Sequence, residues 1–248
     1  MIALKNMYFS YGKQPFLQDI SANMTDGCII GIIGPNGSGK STLLRLCAGI
    51  LRPNSGEIQI NGRAAQAYGH REFARELAFL PQSRPTPMLT VRTLVENGRY
   101  PHLGFTRKLG KADREAVEMA LEETGMQSMA ERELRNLSGG ERQKAYVAML
   151  IAQGAQHLLL DEPTTYLDAA HQLELMALMH RLRNDGKCII MVMHDIDLAI
   201  QHCDEILVMS HGSIIHRGCG ADILRSGALE KAYGVRALPN TGVRFEKI

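Results

Sequence analysis

The sequence predicts an α/β fold: a mixed sheet flanked by helices, an antiparallel β region at the N-terminus, and a helical stretch inserted in the middle. Three observations carry this expectation. Short runs at residues 28–33, 77–80, 158–160 and 188–193 are almost wholly apolar, as strands buried on both faces of a sheet are. A glycine-rich loop joins the first of these runs to a segment with helical spacing. From about residue 84 to 153 helical spacing takes over and no strong strand appears, which marks an insert in an α/β domain.

At the N-terminus, residues 3–9 and 16–24 are two apolar stretches around the turn Tyr11-Gly12-Lys13-Gln14. No helix lies between them, so they pair antiparallel. Tyr11 has two readings: a ring stacked on a base, or a turn residue covering the sheet edge. Next comes Gly34-Pro35-Asn36-Gly37-Ser38-Gly39-Lys40-Ser41-Thr42, which fits G-x-x-x-x-G-K-[ST]. A strand precedes it, and a helix over 41–49 follows with Leu43, Leu44 and Leu46 on its apolar side. This is the arrangement of a phosphate-binding P-loop. The glycines let backbone N–H groups converge on a phosphate, and the helix N-terminus adds partial positive charge. Lys40 reaches the β- and γ-phosphates of a nucleotide, and the Ser41 hydroxyl ligates Mg²⁺.

Residues 57–62 alternate and end in Asn61-Gly62, a strand closing in a tight turn. The run at 77–80 is stopped by Pro81 and leaves Gln82 at its end. A polar group there is either near the ligand crevice of the sheet or an exposed loop residue. In the insert, Pro85 and Pro87 precede a short helical face of Val91, Leu94 and Val95, and a longer helix contains Ala116, Val117, Met119, Ala120 and Leu121. Arg99 and Arg107 read as exposed positions of this insert.

Leu137-Ser138-Gly139-Gly140-Glu141 closes the insert and opens a helix to about residue 151. Ser138 with Glu141 forms a capping box, or Ser138 and the two glycines present a hydroxyl and N–H groups to an anion. A cap does not require Gly139-Gly140, each of which costs about 1 kcal/mol against alanine, so something approaches the backbone closely. The run at 158–160 ends in Asp161-Glu162. Beside a P-loop these carboxylates divide the work: Asp161 holds Mg²⁺ through its water shell, and Glu162 polarises an attacking water. The fold expected is therefore a P-loop ATPase core, one domain over 1–248, with a helical subdomain at about 84–153. His194, after the run at 188–193, is either a contact to the γ-phosphate or a structural histidine. A hairpin over 206–209 and 213–215 turns at His211-Gly212. His211, His216 and Cys219 match no metal-ligand spacing and read as a solvated turn. The tail after Leu229 leaves no room for an added domain of ~100 residues.

Composition narrows the class. The 248 residues are 45% hydrophobic and 22% charged, ordinary for a soluble globular protein. A formal net charge of +2 gives no nucleic-acid footprint. Five scattered cysteines without a C-x-x-C point to a reducing compartment. No apolar run approaches the ~18–20 residues of a membrane span, and no signal-peptide pattern opens the chain, so a cytoplasmic protein is expected.

Taken together and in this order, the motifs resemble the ATP-binding subunit of ATP-binding cassette (ABC) transporters, over nearly the whole chain. Residues 34–42 resemble the Walker A loop, Gln82 the Q-loop glutamine, Leu137 to Glu141 the signature sequence, and Leu160-Asp161-Glu162 Walker B with its catalytic glutamate. Leu167-Asp168 is similar to the D-loop, His194 to the switch histidine, and Tyr11 to the adenine-stacking aromatic. A finer resemblance lies in Glu162-Pro163-Thr164-Thr165-Tyr166-Leu167-Asp168 with His171-Gln172, and in Gly98-Arg99-Tyr100-Pro101-His102. These are similar to importers of iron-siderophore, haem and cobalamin chelates. The resemblance implies ATP and Mg²⁺ as cofactors, with Ser41, Gln82 and, through water, Asp161 around the metal. It implies ATP bound between two copies, by the P-loop of one and Ser138–Gly140 of the other. It further implies a membrane permease, an extracytoplasmic binding protein as an indirect partner, and a peripheral place on the cytoplasmic side of the inner membrane. The other readings are an ABC importer ATPase for another substrate, a soluble ABC ATPase, and a P-loop small-molecule kinase. Soluble members resemble long or duplicated cassettes, whereas this chain has one P-loop and one LSGGE; a kinase would need an acceptor pocket and no LSGGE.

Overall fold

The computed structural model describes residues 1–104, 107–165, 167–237 and 245–247. Its α/β architecture rests on two sheets. The strands β1 (Ile2–Tyr11) and β2 (Gln14–Met24) form the expected antiparallel pair, and β1 also pairs antiparallel with β4 (Ser55–Ile60). The short β5 (Arg63–Ala64) completes the order β2-β1-β4-β5. The second sheet is built on β3 (Ile29–Ile33), β6 (Leu77–Leu80), β7 (His157–Asp161), β8 (Cys188–Val192), β9 (Glu205–Ser210) and β10 (Ser213–Gly218), in the order β10-β9-β3-β8-β7-β6. Its strands are parallel except β10, which returns antiparallel through the His211-Gly212 turn. A further pair, β11 (Val235–Ala237) and β12 (Phe245–Lys247), is antiparallel.

The parallel strands are apolar through their middles because both faces are covered, and polar residues stand only at their ends, as His157 and Asp161 do in β7 and Glu205 and Ser210 in β9. Leu158, Leu160, Ile189 and Met191 point into one core, and Leu159, Ile190 and Val192 into the other. The second core also takes Leu43, Leu44 and Leu46 of α1 (Lys40–Cys47) and the inner faces of β1 and β2. Alternate residues of one strand thus glue two different layers to the sheet.

Helix α2 (His70–Glu76) leads into β6. Between β6 and β7 the chain is helical: α3 (Val91–Asn97), α4 (Lys111–Glu123) and α5 (Gly139–Ala152), with only an isolated bridge, Thr90 to Glu133, among the described residues. Thr90 caps α3 by accepting from the Thr93 N–H. Val91, Leu94 and Val95 are buried with Val117, Ala120 and Leu121 against α5. The remaining helices are α6 (Ala169–Asn184), α7 (Ile196–His202), α8 (Gly220–Arg225) and α9 (Ala228–Tyr233). Among the described residues no helix is long and apolar enough to cross a membrane.

One expectation fails in this region. Arg99 is not an exposed position: its side chain is only 12% accessible, its Nε lies 3.0 Å from Asp113, and its Nη1 donates to the Ala152 carbonyl at 2.7 Å. His102 Nε2 lies 2.8 Å from the Gln153 carbonyl. The last turn of α5 leaves carbonyls without intrahelical partners, and the Gly98–His102 segment supplies donors to them. Arg107 is exposed.

Candidate active site

Parallel order places the C-terminal ends of β3, β8, β7 and β6 side by side, and the candidate residues stand at those ends. After β3 the loop from Gly34 to Gly39 turns back into α1. At Gly39 φ is 105°, and a Cβ there would lie 2.4 Å from Leu17 Cδ2 of β2. Only glycine permits that conformation and that approach. The loop curls around Lys40, whose Nζ donates to the Gly34 carbonyl at 2.7 Å and the Pro35 carbonyl at 3.0 Å. Lys40 is buried, which pulls its pKa below the usual lysine value, while Glu162 and Asp161 act in the opposite sense. No ion pair satisfies this cation among the described residues, so the loop holds a buried positive charge ready for an anion. Ser38 is buried beside it with its hydroxyl unpartnered.

At the end of β7, Asp161 Oδ1 accepts from Ser41 Oγ at 2.7 Å. Its other oxygen, Oδ2, is buried with no partner. Burial pushes the Asp161 carboxyl above its usual range, and the Ser41 hydrogen bond opposes that shift. A hydroxyl and an orphaned carboxylate oxygen in one place fit a hard divalent cation such as Mg²⁺.

Glu162 follows with φ at 53°, outside the range that side-chain-bearing residues favour. The turn lifts its carboxylate out of the strand and into three partners. Gln82 Nε2 donates to Oε2 at 2.5 Å, Thr165 Oγ1 donates to the same oxygen at 3.3 Å, and His194 Nε2 lies 2.5 Å from Oε1. Gln82 comes from the end of β6 and His194 from the end of β8, the strands flanking β7. The structure therefore puts the Gln82 amide on Glu162 rather than on the Ser41–Asp161 pair. Thr165 was not singled out in the sequence. Its place three residues after Glu162, in the turn that begins there, is the signal that marks it.

Tyr11 stands half exposed beside α1, its hydroxyl 3.2 Å from Thr42 Oγ1 and its ring edge-on to Phe9 and Phe16. Ser138 caps α5. Its Oγ accepts from the Glu141 N–H at 3.2 Å, and Glu141 Oε2 accepts from the Ser138 N–H at 2.7 Å. The capping box is thus present. No hydrogen bond or ion pair joins Ser138, Gly139 or Gly140 to residues 34–42 among the described residues.

Comparisons with known proteins place this arrangement. The family described as "ABC transporter" matches residues 17–165. The iron(3+)-hydroxamate import ATP-binding protein FhuC of Bacillus subtilis (strain 168) is 38% identical over 99% of this chain and 92% of its own length. The ferric enterobactin transport ATP-binding protein FepC of Escherichia coli (strain K12) is 37% identical over 94% of this chain and 87% of its own length. Among solved structures, one assigned to the metal-chelate type of ABC transporter, in an inward-facing conformation, superposes with a TM-score of 0.84 at 26% identity, covering 100% of this chain and 97% of that one. The dimeric structure of a bacterial ABC transporter cassette superposes with a TM-score of 0.79 at 27% identity, over 88% and 98% of the two chains. With a family match over more than half its length and relatives aligned end to end, this chain belongs to the ABC transporter family, as one of its ATP-binding, ATP-hydrolysing subunits.

Proposed function

We propose that this subunit hydrolyses ATP to drive import of a metal chelate through a membrane permease. The observation that carries the hydrolytic half is the convergence of Gln82, Thr165 and His194 on Glu162, beside Lys40 and the Ser41–Asp161 pair. Lys40 exchanges the Gly34 and Pro35 carbonyls for the β- and γ-phosphates, and the N–H groups of residues 36–42 surround them. Ser41, and Asp161 through water, would hold Mg²⁺, which would supply charge neutralisation on the phosphates. Glu162 takes the proton of the attacking water, and Gln82 and His194 orient its carboxylate. His194 also faces the γ-phosphate, and Tyr11 offers its ring to the adenine. Positioning and charge neutralisation carry most of the rate.

Lys40→Ala should weaken ATP binding about 10- to 100-fold, because a charge-assisted contact of roughly 1.5–3 kcal/mol is removed. Equilibrium binding of a fluorescent nucleotide measures it; unaltered affinity would take Lys40 off the phosphates.

The chelate assignment rests on the relatives: proteins named for iron(3+)-hydroxamate and ferric enterobactin are similar over nearly the whole chain. Deleting the gene should slow uptake of one labelled iron chelate or cobalamin and leave sugar and amino-acid uptake unchanged. A defect confined to sugars or peptides would reject the assignment.

The partners are a second copy of this chain, the permease and, through it, an extracytoplasmic binding protein. The subunit then sits peripherally on the cytoplasmic side of the membrane. The helical insert, at about residues 84–135, carries the contact with the permease. A groove of about 590 Å³ runs between α2 and the segment after α3, lined by His70, Arg71, Ala74, Tyr100, Pro101 and Arg107 among others. Tyr100 is 59% exposed at its rim. An aromatic with a basic rim suits a helix end that brings apolar and acidic groups. Tyr100→Ala and Arg107→Glu should leave stability within about 0.5 kcal/mol yet uncouple uptake from ATP hydrolysis in the assembled transporter. Normal uptake with both changes present would move the contact elsewhere.

A further inference from the structure

Gly139 and Gly140 are adjacent in the first turn of α5, and neither has a positive φ. Backbone conformation therefore does not require glycine at either position, and alanine is the better helix former. Their surroundings differ. A Cβ on Gly139 would meet nothing within 4 Å. A Cβ on Gly140 would lie 3.2 Å, 3.3 Å and 3.4 Å from Cδ2, Cγ and Nε2 of His171, so the ring would have to give by a few tenths of an ångström.

That ring has little freedom to give. His171 lies in the first turn of α6, where Asp168 is the N-cap. Asp168 Oδ1 accepts from the His171 backbone N–H at 2.9 Å and lies 2.7 Å from His171 Nδ1. One carboxylate oxygen thus caps the helix and fixes the imidazole. Asp168 is in this way tied, through one ring, to the helix that Ser138 begins.

We propose that His171 is a positioning residue that seats the start of α5, and that Gly140 is glycine to admit this ring, leaving Gly139 as the position open to a ligand. The functional half rests on the reading that Ser138–Gly140 meets the nucleotide of the other copy. Gly140 then serves its own chain, Gly139 serves the partner's nucleotide, and any shift of Asp168 moves Ser138 with it.

Two measurements test this on the full chain. The first is thermal unfolding without nucleotide, for the unsubstituted chain, Gly140→Ala, His171→Ala and the double variant. Gly140→Ala should lower Tm by roughly 2–4 °C when His171 is present and raise it when position 171 is alanine. An equal shift in both backgrounds would overturn the contact. The second is steady-state hydrolysis. His171→Ala should raise the KM for ATP at least about threefold, and His171→Phe, which keeps a ring over Gly140 but loses the bond to Asp168, should recover only part of it. A purely structural role would lower kcat through a smaller active fraction with KM unmoved, and that result would overturn the positioning role. Should Ser138→Arg hydrolyse ATP normally, the shared-site reading falls, while the thermal cycle still decides the His171–Gly140 contact.

Discussion

Glu162→Gln is expected to keep ATP affinity within about twofold and to lower hydrolysis at least ~10²-fold, the scale of a lost general base. The substitution suits the site unusually well. Two donors, Gln82 Nε2 and Thr165 Oγ1, meet one carboxylate oxygen, and His194 Nε2 meets the other. A glutamine amide can turn its oxygen to Gln82 and Thr165 and its NH₂ to the His194 nitrogen in its acceptor tautomer. Each partner keeps a hydrogen bond, and the backbone at φ 53° is undisturbed. What is lost is the capacity to take a proton from water. Glu162→Ala is the less informative change, because it strands Gln82 and His194 without their partner. Nucleotide binding and phosphate release on the purified Gln variant give the answer. Turnover near the unsubstituted rate would remove Glu162 from the proton transfer and leave it a structural hub.

The parts of this site legible in the sequence are those whose physics is local. The P-loop needs glycines, a lysine and a hydroxyl at fixed spacing, so residues 34–42 announce themselves. β3, β8 and the middle of β7 announce themselves because burial on both faces leaves them a continuous apolar run. The capping box is local too, since Ser138 and Glu141 are one turn apart. Contacts that join distant segments leave no such pattern. Arg99 looks like any surface arginine until α5 brings Ala152 to its guanidinium, 53 residues away. The meeting of Gln82 with Glu162 depends on β6 lying next to β7, which strand order alone decides. The sequence marks Gly139-Gly140 as a place of close approach, but not that their surroundings differ, because His171 comes from a helix whose packing no spacing rule predicts.

Ser138→Arg should leave ATP bound at the P-loop and abolish hydrolysis by the homodimer, a loss well beyond ~10²-fold. Within one chain Ser138 does a simple thing: it caps α5. Among the described residues no hydrogen bond or ion pair ties it to residues 34–42 of its own chain, yet Gly139 beside it faces open space. If that space receives the γ-phosphate held by the other copy, two identical sites arise, each built from both chains across a two-fold axis. An arginine at position 138 would then fill that space and keep the two copies from completing each other's sites. Ser138→Ala is the control. It removes the cap, at a cost of about 1 kcal/mol, without filling the space, so it should retain most of the activity. The same geometry sets the concentration dependence of the unsubstituted chain. Hydrolysis per chain should rise with protein concentration until dimers saturate, so total activity climbs more steeply than linearly at first. Sedimentation and phosphate release measured on the same dilution series test this. Activity strictly proportional to concentration in a chain that stays monomeric with ATP bound would mean that each copy completes its own site, and Ser138 would then be a helix cap and nothing more.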